Sequence, residues 1–202
     1  MGQFITFEGG EGSGKSTQAR ALYRHLLHLH IPALLTHEPG GTALGISLRR
    51  WLKGKDSIDA TTELLLFNAS RAHLVSKVIE PALEKGTIVV CDRFTESTIA
   101  YQGYGRGLNL DLVQAVNNVA TKGLRPNLIV FLDIPPDRGL ARKGLPDRFE
   151  REDIGFHRRV RSGYLEMANK DPQRWLVIDG SMVKSHIESI VWERIEPLLK
   201  CP

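Results

Sequence analysis

The chain has 202 residues, 42% hydrophobic and 25% charged, which is typical of a soluble globular protein with one domain and a full-sized core. The net charge is +4 without a basic stripe or run, so binding to a long polynucleotide is not expected. The two cysteines, Cys91 and Cys201, exclude a disulfide framework and favour a reducing cytoplasm, and we expect neither a signal peptide nor a membrane span.

The first predicted element is an apolar strand at residues 4–7, and a glycine-rich loop follows it. The loop fits the pattern G-x-x-x-x-G-K-[ST], and Leu22, Leu26 and Leu29 mark one face of a helix after it. Glycines allow successive N–H groups to point at phosphate oxygens, and the positive end of the helix adds to that field. The sequence therefore predicts a nucleoside triphosphate site at Gly9, Gly10, Glu11, Gly12, Ser13, Gly14, Lys15, Ser16 and Thr17.

Two side chains of this phosphate loop have predicted roles. Lys15, expected in the loop and outside the core, can reach the outer phosphates, and the Ser16 hydroxyl can bind a magnesium ion. The alternative is a glycine-rich turn that merely precedes a helix. The Lys-Ser pair and the preceding strand argue against that alternative.

The rest of the chain alternates apolar strands with helical segments. Further strands are predicted at residues 33–36, 87–91, 128–132 and 175–178, and none alternates apolar with polar residues, as is typical of strands buried on both faces. Helices are predicted at residues 43–53, 62–85, 110–122, 137–143, 156–169 and 183–199, with Pro81 bending or ending part of the second. This order predicts an α/β fold with a five-stranded parallel sheet and helices on both faces.

Ligands of such sheets bind beyond the carboxyl ends of the strands. Polar or turn residues follow all five predicted strands, beginning with Glu8 after the first and Asp92-Arg93 after the third. Asp92 can hold magnesium-bound water, and Arg93 can clamp a phosphate with two hydrogen bonds. The alternative is a surface ion pair at the end of a strand.

Two further stretches predict a second pocket. Residues 97–107 are rich in hydroxyls, aromatic rings and an amide, which suits a wall that reads a base and a sugar. Phe67 and Arg71 lie four residues apart and share a helix face, where a ring can stack on a base and a guanidinium can bond its edge. From this helix alone, the favoured alternative places Phe67 in the core with its leucine neighbours and makes Arg71 a solvated tip.

A short basic stretch between helices, residues 139–150, predicts a lid that closes over phosphates. It contains Arg142, Lys143 and Arg148 around the helix breakers Gly144 and Pro146. An ordinary exposed, charged connection is the alternative.

Together, these motifs resemble the thymidylate kinase family over nearly the whole chain. The specific parts are Glu-Pro-Gly-Gly-Thr at 38–42, Leu-Phe-Asn-Ala-Ser-Arg at 66–71, and Asp-Arg-Phe at 92–94 continuing to Ser-Thr-Ile-Ala-Tyr-Gln-Gly at 97–103. The resemblance implies a P-loop nucleoside monophosphate kinase fold, with one domain over 1–202 and a short lid at about 139–153. It implies transfer of the γ-phosphoryl group of ATP to dTMP with Mg²⁺, in dTTP biosynthesis, by a homodimer.

The resemblance also assigns roles to residues. Phe67 would stack on thymine, with Arg71 on its edge and Gln102 near the base. Tyr101 would crowd the 2′ position of the sugar, and the loop from Asp179 would lie near the donor adenine. The full dTMP site implied in this way comprises Glu11, Glu38, Arg49, Phe67, Arg71, Arg93, Ser97, Tyr101 and Gln102, with Arg49 and Arg93 on the phosphate.

Two positions depart from the family pattern. His37 stands where the family usually has Arg, and the phosphate loop carries no basic residue between Gly9 and Gly14. In bacterial-type members the missing charge comes from lid arginines, and Arg142 and Arg148 occupy suitable places. The implied catalytic set is therefore Lys15, Arg93, Arg142 and Arg148, with Ser16 and Asp92 at the metal, for in-line attack without a covalent intermediate.

Other functions remain open from sequence alone. A kinase for another nucleoside monophosphate is the near alternative, against which the Phe67/Arg71 and Tyr101/Gln102 pairs argue. A GTP-dependent switch would need N-K-x-D and D-x-x-G, and the sequence has neither. A nucleotide-gated regulatory protein would bind the triphosphate, but it gives no reason for both a lid and a second pocket.

Overall fold

The computed structural model describes residues 2–54, 57–142 and 147–200. Its five strands form a parallel sheet in the order β2-β3-β1-β4-β5. The α/β fold predicted from the alternation of strands and helices is confirmed. The strands are β1 Phe4–Glu8, β2 Ala33–His37, β3 Ile88–Asp92, β4 Leu128–Asp133 and β5 Trp175–Asp179.

Helices connect the strands on both faces of this sheet. Two of the helical stretches contain π-helical segments, the first at Val75–Ile79 between α3 and α4, the second at Ile99–Gly105 after α5. The α-helices are α1 Lys15–His28, α2 Ala43–Lys53, α3 Ala60–Leu74, α4 Glu80–Glu84, α5 Thr95–Thr98, α6 Leu110–Thr121, α7 Pro136–Ala141, α8 Ile154–Lys170 and α9 Lys184–Lys200.

The sheet divides the core into two layers, because alternate residues of a strand point to opposite faces. On one face, Ile5, Phe7 and Val130 pack against α1 and α9. On the other face, Phe131 packs against α8 and Phe4 against α3 with its π-helical extension. Burial on both sheet faces holds for the central strands, but β2 and β5 at the edges are partly exposed, so that prediction is wrong for the two edges.

Each strand runs one residue further than its apolar stretch. The last residues are polar: Glu8, His37, Asp92, Asp133 and Asp179. The backbone ladder continues regardless of side-chain polarity, since Asp92 pairs with both Phe7 and His37, and Asp133 pairs with Asp179. The residues expected just after the strands are therefore fixed by the sheet itself.

Two helical regions differ from the sequence prediction. The helix predicted at 62–85 divides at the first π-helical segment, and Pro81 lies in the first turn of α4, where the missing N–H is tolerated. The second π-helical segment was not predicted, because its glycines are typical of turns. Here they allow close packing: a Cβ on Gly105 would lie 2.6 Å from the Phe156 ring, and one on Gly103 would lie 2.6 Å from Leu110.

Within residues 2–54, 57–142 and 147–200, no helix has both the length and the apolar character needed to cross a bilayer.

Candidate active site

A cavity of about 470 Å³ opens at the carboxyl ends of the strands. Its lining runs from the phosphate loop at one end to Phe67 and Gln102 at the other, with Asp92, Arg93 and Tyr101 between them. The structure therefore brings the predicted triphosphate site and the predicted base pocket into one continuous space.

The phosphate loop turns at glycines with positive φ, including Gly12 at 68° and Gly14 at 97°. The loop also packs closely on α7. A Cβ on Gly12 would lie 1.9 Å from the Gly139 carbonyl oxygen, and one on Gly139 would lie 2.2 Å from the Glu11 carbonyl oxygen. Glycine is required on both sides of this contact, and α7 holds the loop in place.

Lys15 is a buried residue, contrary to the expectation of a loop residue outside the core. It begins α1, is 6% exposed, and its Nζ donates to the Gly10 carbonyl oxygen at 2.7 Å and to Ser13 Oγ at 3.3 Å. Burial lowers the pKa of Lys15 to about 8, and the positive charge of Arg93 adds to this effect. A bound phosphate would favour the charged form again, because opposite charges at short range stabilise each other.

The structure brings together the two residues predicted to bind magnesium. Ser16 Oγ donates a hydrogen bond to Asp92 Oδ2 across the start of α1 and the end of β3. A hydroxyl and a carboxylate are oxygen ligands of the kind Mg²⁺ prefers. Within the described ranges, no group of three His, Cys, Asp or Glu side chains is placed to hold a metal. The chemistry of the Ser16–Asp92 pair fits a magnesium ion.

Arg93 lies between the two halves of the cavity. Its φ is 73°, a left-handed conformation that directs the side chain toward the phosphate loop. The guanidinium donates to Glu11 Oε1 at 2.8 Å, Tyr101 Oη at 3.1 Å and the Gly9 carbonyl oxygen at 3.2 Å. It also donates to Ser97 Oγ at 3.0 Å. Arg93 therefore ties the triphosphate loop to the wall of the second pocket.

Three residues predicted near the acceptor sugar and phosphate also line the cavity. Tyr101 Oη donates to Glu11 Oε1 at 2.8 Å, and the ring lies edge-on to Phe149. Arg49 donates to the Pro39 carbonyl oxygen at 3.0 Å. His37, at the position where Arg was expected, packs over Gly40, and burial and the charge of Arg49 lower its pKa.

Phe67 and Arg71, the two residues predicted to form a base pocket, both line the cavity. Phe67 is half-buried and lines the cavity, with its ring 5.9 Å from that of Phe149. Arg71 is 1% exposed, so the interpretation of a solvated tip is wrong. Leu65 is 53% exposed, so it is wrong to group it in the core beside Phe67.

Arg71 is held entirely by protein groups. Its Nε donates to Glu38 Oε2 at 2.8 Å, and its two terminal nitrogens donate to Asn117 Oδ1 at 2.7 Å and Thr98 Oγ1 at 2.9 Å. Burial raises the pKa of Glu38, and Arg71 acts against that rise. A bond from Arg71 to a base edge therefore requires it to share or exchange one of these partners.

The two predicted lid arginines lie in different places. Arg142 donates to the Gly180 carbonyl oxygen at 3.1 Å and to the Gly12 carbonyl oxygen at 3.4 Å, so it bridges the phosphate loop and the loop after Asp179. Arg148 instead pairs with Glu63 Oε2 at 2.6 Å and donates to the Leu52 carbonyl oxygen at 3.0 Å. The predicted breakers Gly144 and Pro146, and Lys143 and Cys201, lie outside the described residues.

Sequence reasoning missed Glu63. This side chain is fully buried, accepts from Gln102 Nε2 at 2.7 Å, and pairs with Arg106 at 3.2 Å as well as with Arg148. Glu63 lies in the first turn of α3, where an acidic side chain is common because its charge interacts favourably with the helix dipole. The sequence feature that could have indicated Glu63 is Arg106, a cation in the predicted pocket wall that needs an acidic partner. Sequence analysis also gave no role to Glu8 or Tyr164, which lie beneath Arg93.

The chain is similar to known proteins over nearly its whole length. The family model described as Thymidylate kinase matches residues 7–190. A curated protein named Thymidylate kinase from Dehalococcoides mccartyi is 52% identical over 206 residues, covering 100% of both chains. One of the same name from Synechococcus sp. is 50% identical over 196 residues, covering 97% of this chain and 95% of the relative. The crystal structure of thymidylate kinase from Ehrlichia chaffeensis superposes with a TM-score of 0.79 at 35% identity, covering 95% of this chain and 97% of that one.

The different surroundings of Arg142 and Arg148 predict different effects on stability. Arg148→Ala should lower the free energy of unfolding by about 1.5–3 kcal/mol, since it removes a hydrogen-bonded partner of a buried charge. Arg142→Ala, at an exposed position, should change it by no more than about 0.5 kcal/mol. Urea unfolding of both variants measures the difference. Equal losses would contradict the pairing of Arg148 with Glu63.

Proposed function

Since the chain belongs to the thymidylate kinase family and is an ATP:dTMP phosphotransferase, we propose that its one continuous cavity binds ATP and dTMP end to end for direct transfer. The products are dTDP and ADP. The observation that carries the proposal is the position of Arg93, which contacts Gly9 and Glu11 of the phosphate loop and Ser97 and Tyr101 of the second pocket. A regulatory protein would have no need to join the two sites in this way.

The donor end is assigned to the phosphate loop, residues 9–17. Its N–H groups and the start of α1 would hold the phosphates of ATP, with the Lys15 ammonium at the outer ones. Ser16 and Asp92 would hold Mg²⁺, which when bound neutralises phosphate charge and orients the chain of phosphates. Arg142 and the loop from Asp179 would lie beside the adenine, and their contact through Gly180 supports this placement.

The acceptor end is assigned to the residues around Arg93 and Phe67. Arg49 and Arg93 would hold the phosphate of dTMP, while Glu11 and Tyr101 would face its sugar. The base would stack on Phe67, whose half-buried ring lines the cavity. Behind these contacts, Glu38 fixes Arg71, Ser97 accepts from Arg93, and Glu63 fixes Gln102.

Transfer requires positioning and charge neutralisation more than acid–base chemistry. The acceptor phosphate is already ionised at neutral pH, and one of its oxygens attacks the γ-phosphorus in line. Lys15 and Arg93 would stabilise the charge that spreads over the moving group. Arg142 lies against the phosphate loop and is the better placed lid arginine, whereas a role for Arg148 at the phosphates requires it to leave Glu63. That role stays a prediction.

The wider context is also a proposal. We assign the chain to one kinase domain with a lid at about residues 139–153, whose closure would exclude water. The cytoplasm is the proposed location, because ATP is abundant there and a free thiol such as that of Cys91 stays reduced.

A homodimer is proposed through α3 and α6, which pack side by side and expose apolar side chains. Leu65 on α3 is 53% exposed, and Leu112 and Val119, seven residues apart on α6, are 49% and 83% exposed. Analytical ultracentrifugation should show a dimer that Val119→Glu weakens. A wild-type chain that sediments as a monomer at micromolar concentration would contradict the proposal.

The substrate assignment is tested by ADP release from ATP and Mg²⁺ with dTMP, dUMP, dCMP, AMP or GMP. The highest kcat/KM is expected with dTMP.

In the same assay, Phe67→Ala should weaken dTMP binding by about 1–3 kcal/mol, the usual contribution of base–aromatic stacking, with ATP affinity retained.

The matched control is Leu66→Ala, a neighbour on α3 that is also partly buried. If Phe67 belongs only to the core, both variants will lower the melting temperature and leave dTMP affinity intact. A faster turnover with another monophosphate would instead contradict the dTMP assignment.

A further inference from the structure

A fully buried carboxylate lies directly beneath Arg93. Glu8 ends β1, is 0% exposed, and immediately precedes the first glycine of the phosphate loop. Its Oε2 accepts from Ser97 Oγ at 2.6 Å and from Tyr164 Oη at 2.9 Å. Its Oε1 accepts from the backbone N–H of Phe94 at 2.7 Å. Donors from two separate parts of the chain, residues 94–97 and α8, therefore converge on one acidic side chain.

The direction of these hydrogen bonds has a consequence for Arg93. Serine and tyrosine hydroxyls each carry one proton, and an ionised carboxylate can only accept. The two hydroxyls lie 2.9 Å from each other, and with both protons directed at Glu8 their oxygens can act only as acceptors toward Arg93. Arg93 meets them there, at 3.0 Å from Ser97 Oγ and 3.5 Å from Tyr164 Oη.

The backbone around Arg93 depends on the same carboxylate. A non-glycine residue with φ of 73° is strained, and such strain persists only where neighbouring contacts fix it. The next residue, Phe94, donates its N–H to Glu8, and the N–H of Arg93 donates to the Phe7 carbonyl oxygen at 3.0 Å. Contacts with the last two residues of β1 therefore hold the left-handed turn.

We propose that Glu8 is a positioning residue for phosphoryl transfer, which sets the place of the Arg93 guanidinium through Ser97, Tyr164 and the Phe94 N–H. The inference rests on the proposed function, in which Arg93 meets the acceptor phosphate. Glu8 itself touches neither substrate. It fixes the backbone that carries Arg93 and orients the hydroxyls that accept from it.

Burial of the Glu8 carboxylate disfavours its charged form. Burial raises the pKa of Glu8 to about 7, and the nearby Glu96 carboxylate adds to the rise, whereas Ser97, Arg93 and the Phe94 N–H lower it. An acid buried at this cost within a few ångströms of a cleft is more typical of a functional site than of a plain core.

At a pH above 7, where Glu8 with its pKa of about 7 is mainly ionised, removing the negative charge while keeping the shape tests the proposal. Glu8→Gln leaves one acceptor oxygen where three donors converge, so its amide NH2 must face either the two hydroxyls or the Phe94 N–H, and Arg93 shifts in either case. The expected loss of kcat with dTMP is about 10²-fold, the effect of displacing a catalytic group by roughly 1 Å, while the KM for ATP is unchanged. Glu80→Gln, at a surface ion pair with Lys122, is the control and should match wild type.

Two milder variants keep the test informative if Glu8→Gln fails to fold. Tyr164→Phe keeps the ring stacked on Phe131 and removes only the hydroxyl, and Ser97→Ala removes the other one. Both should lower kcat in the same direction by a smaller factor. Tyr23→Phe on α1 serves as the control for loss of a tyrosine hydroxyl.

A double-mutant cycle separates positioning from general destabilisation. If Glu8 acts through Arg93, then Tyr164→Phe or Glu8→Gln should cost far less in an Arg93→Lys background than in wild type. Additive losses, or a KM for ATP that rises with the fall in kcat, would overturn the proposal. If wild type itself fails to phosphorylate dTMP, the proposed function fails. If wild type is active and the folded variants match it, only the inference about Glu8 fails.

Discussion

The structure depends on the way one guanidinium is held at the end of β3. Arg93 adopts a left-handed backbone conformation that costs of the order of 1–3 kcal/mol, and contacts with β1 maintain it. From that position it contacts the phosphate loop through Gly9 and Glu11 and the opposite wall through Ser97 and Tyr101. The distance between the proposed donor and acceptor sites is thus set by the parallel sheet, which places the ends of β1 and β3 side by side.

The arginines of the site have protein partners that substrates would have to replace. Arg71 is bonded to Glu38, Asn117 and Thr98, and Arg148 is bonded to Glu63. Replacing one charge-assisted hydrogen bond with another changes the free energy little, so the net gain on binding is smaller than the number of contacts suggests. The protein acceptors in turn keep each guanidinium in place before binding, which reduces the entropy lost when the nucleotide arrives.

The fold and the residues that line the cavity can be predicted from local sequence patterns. The buried carboxylates behind them, Glu8 and Glu63, cannot. Apolar runs and the phosphate-loop motif predict the strands, their parallel arrangement and the location of Ser16 and Asp92 at one magnesium site, because each depends on residues close in sequence or on strand ends that meet. Glu63 and Glu8 depend on partners from other elements, such as Arg106 and Tyr164, respectively 43 and 156 residues away. Arg71 looked like a surface tip for the same reason: Glu38 and Asn117, which bury it, lie on other elements.

A crystal structure of the enzyme with dTMP, Mg²⁺ and a non-hydrolysable ATP analogue tests most directly whether Arg93 joins the two nucleotide sites. We predict that Arg93 contacts the dTMP phosphate while keeping Glu8 beneath it through Ser97 and Tyr164, and that Ser16 and Asp92 face the magnesium ion. A complex in which Arg93 contacts neither phosphate group, or in which the two nucleotides occupy separate cavities, would contradict the central claim.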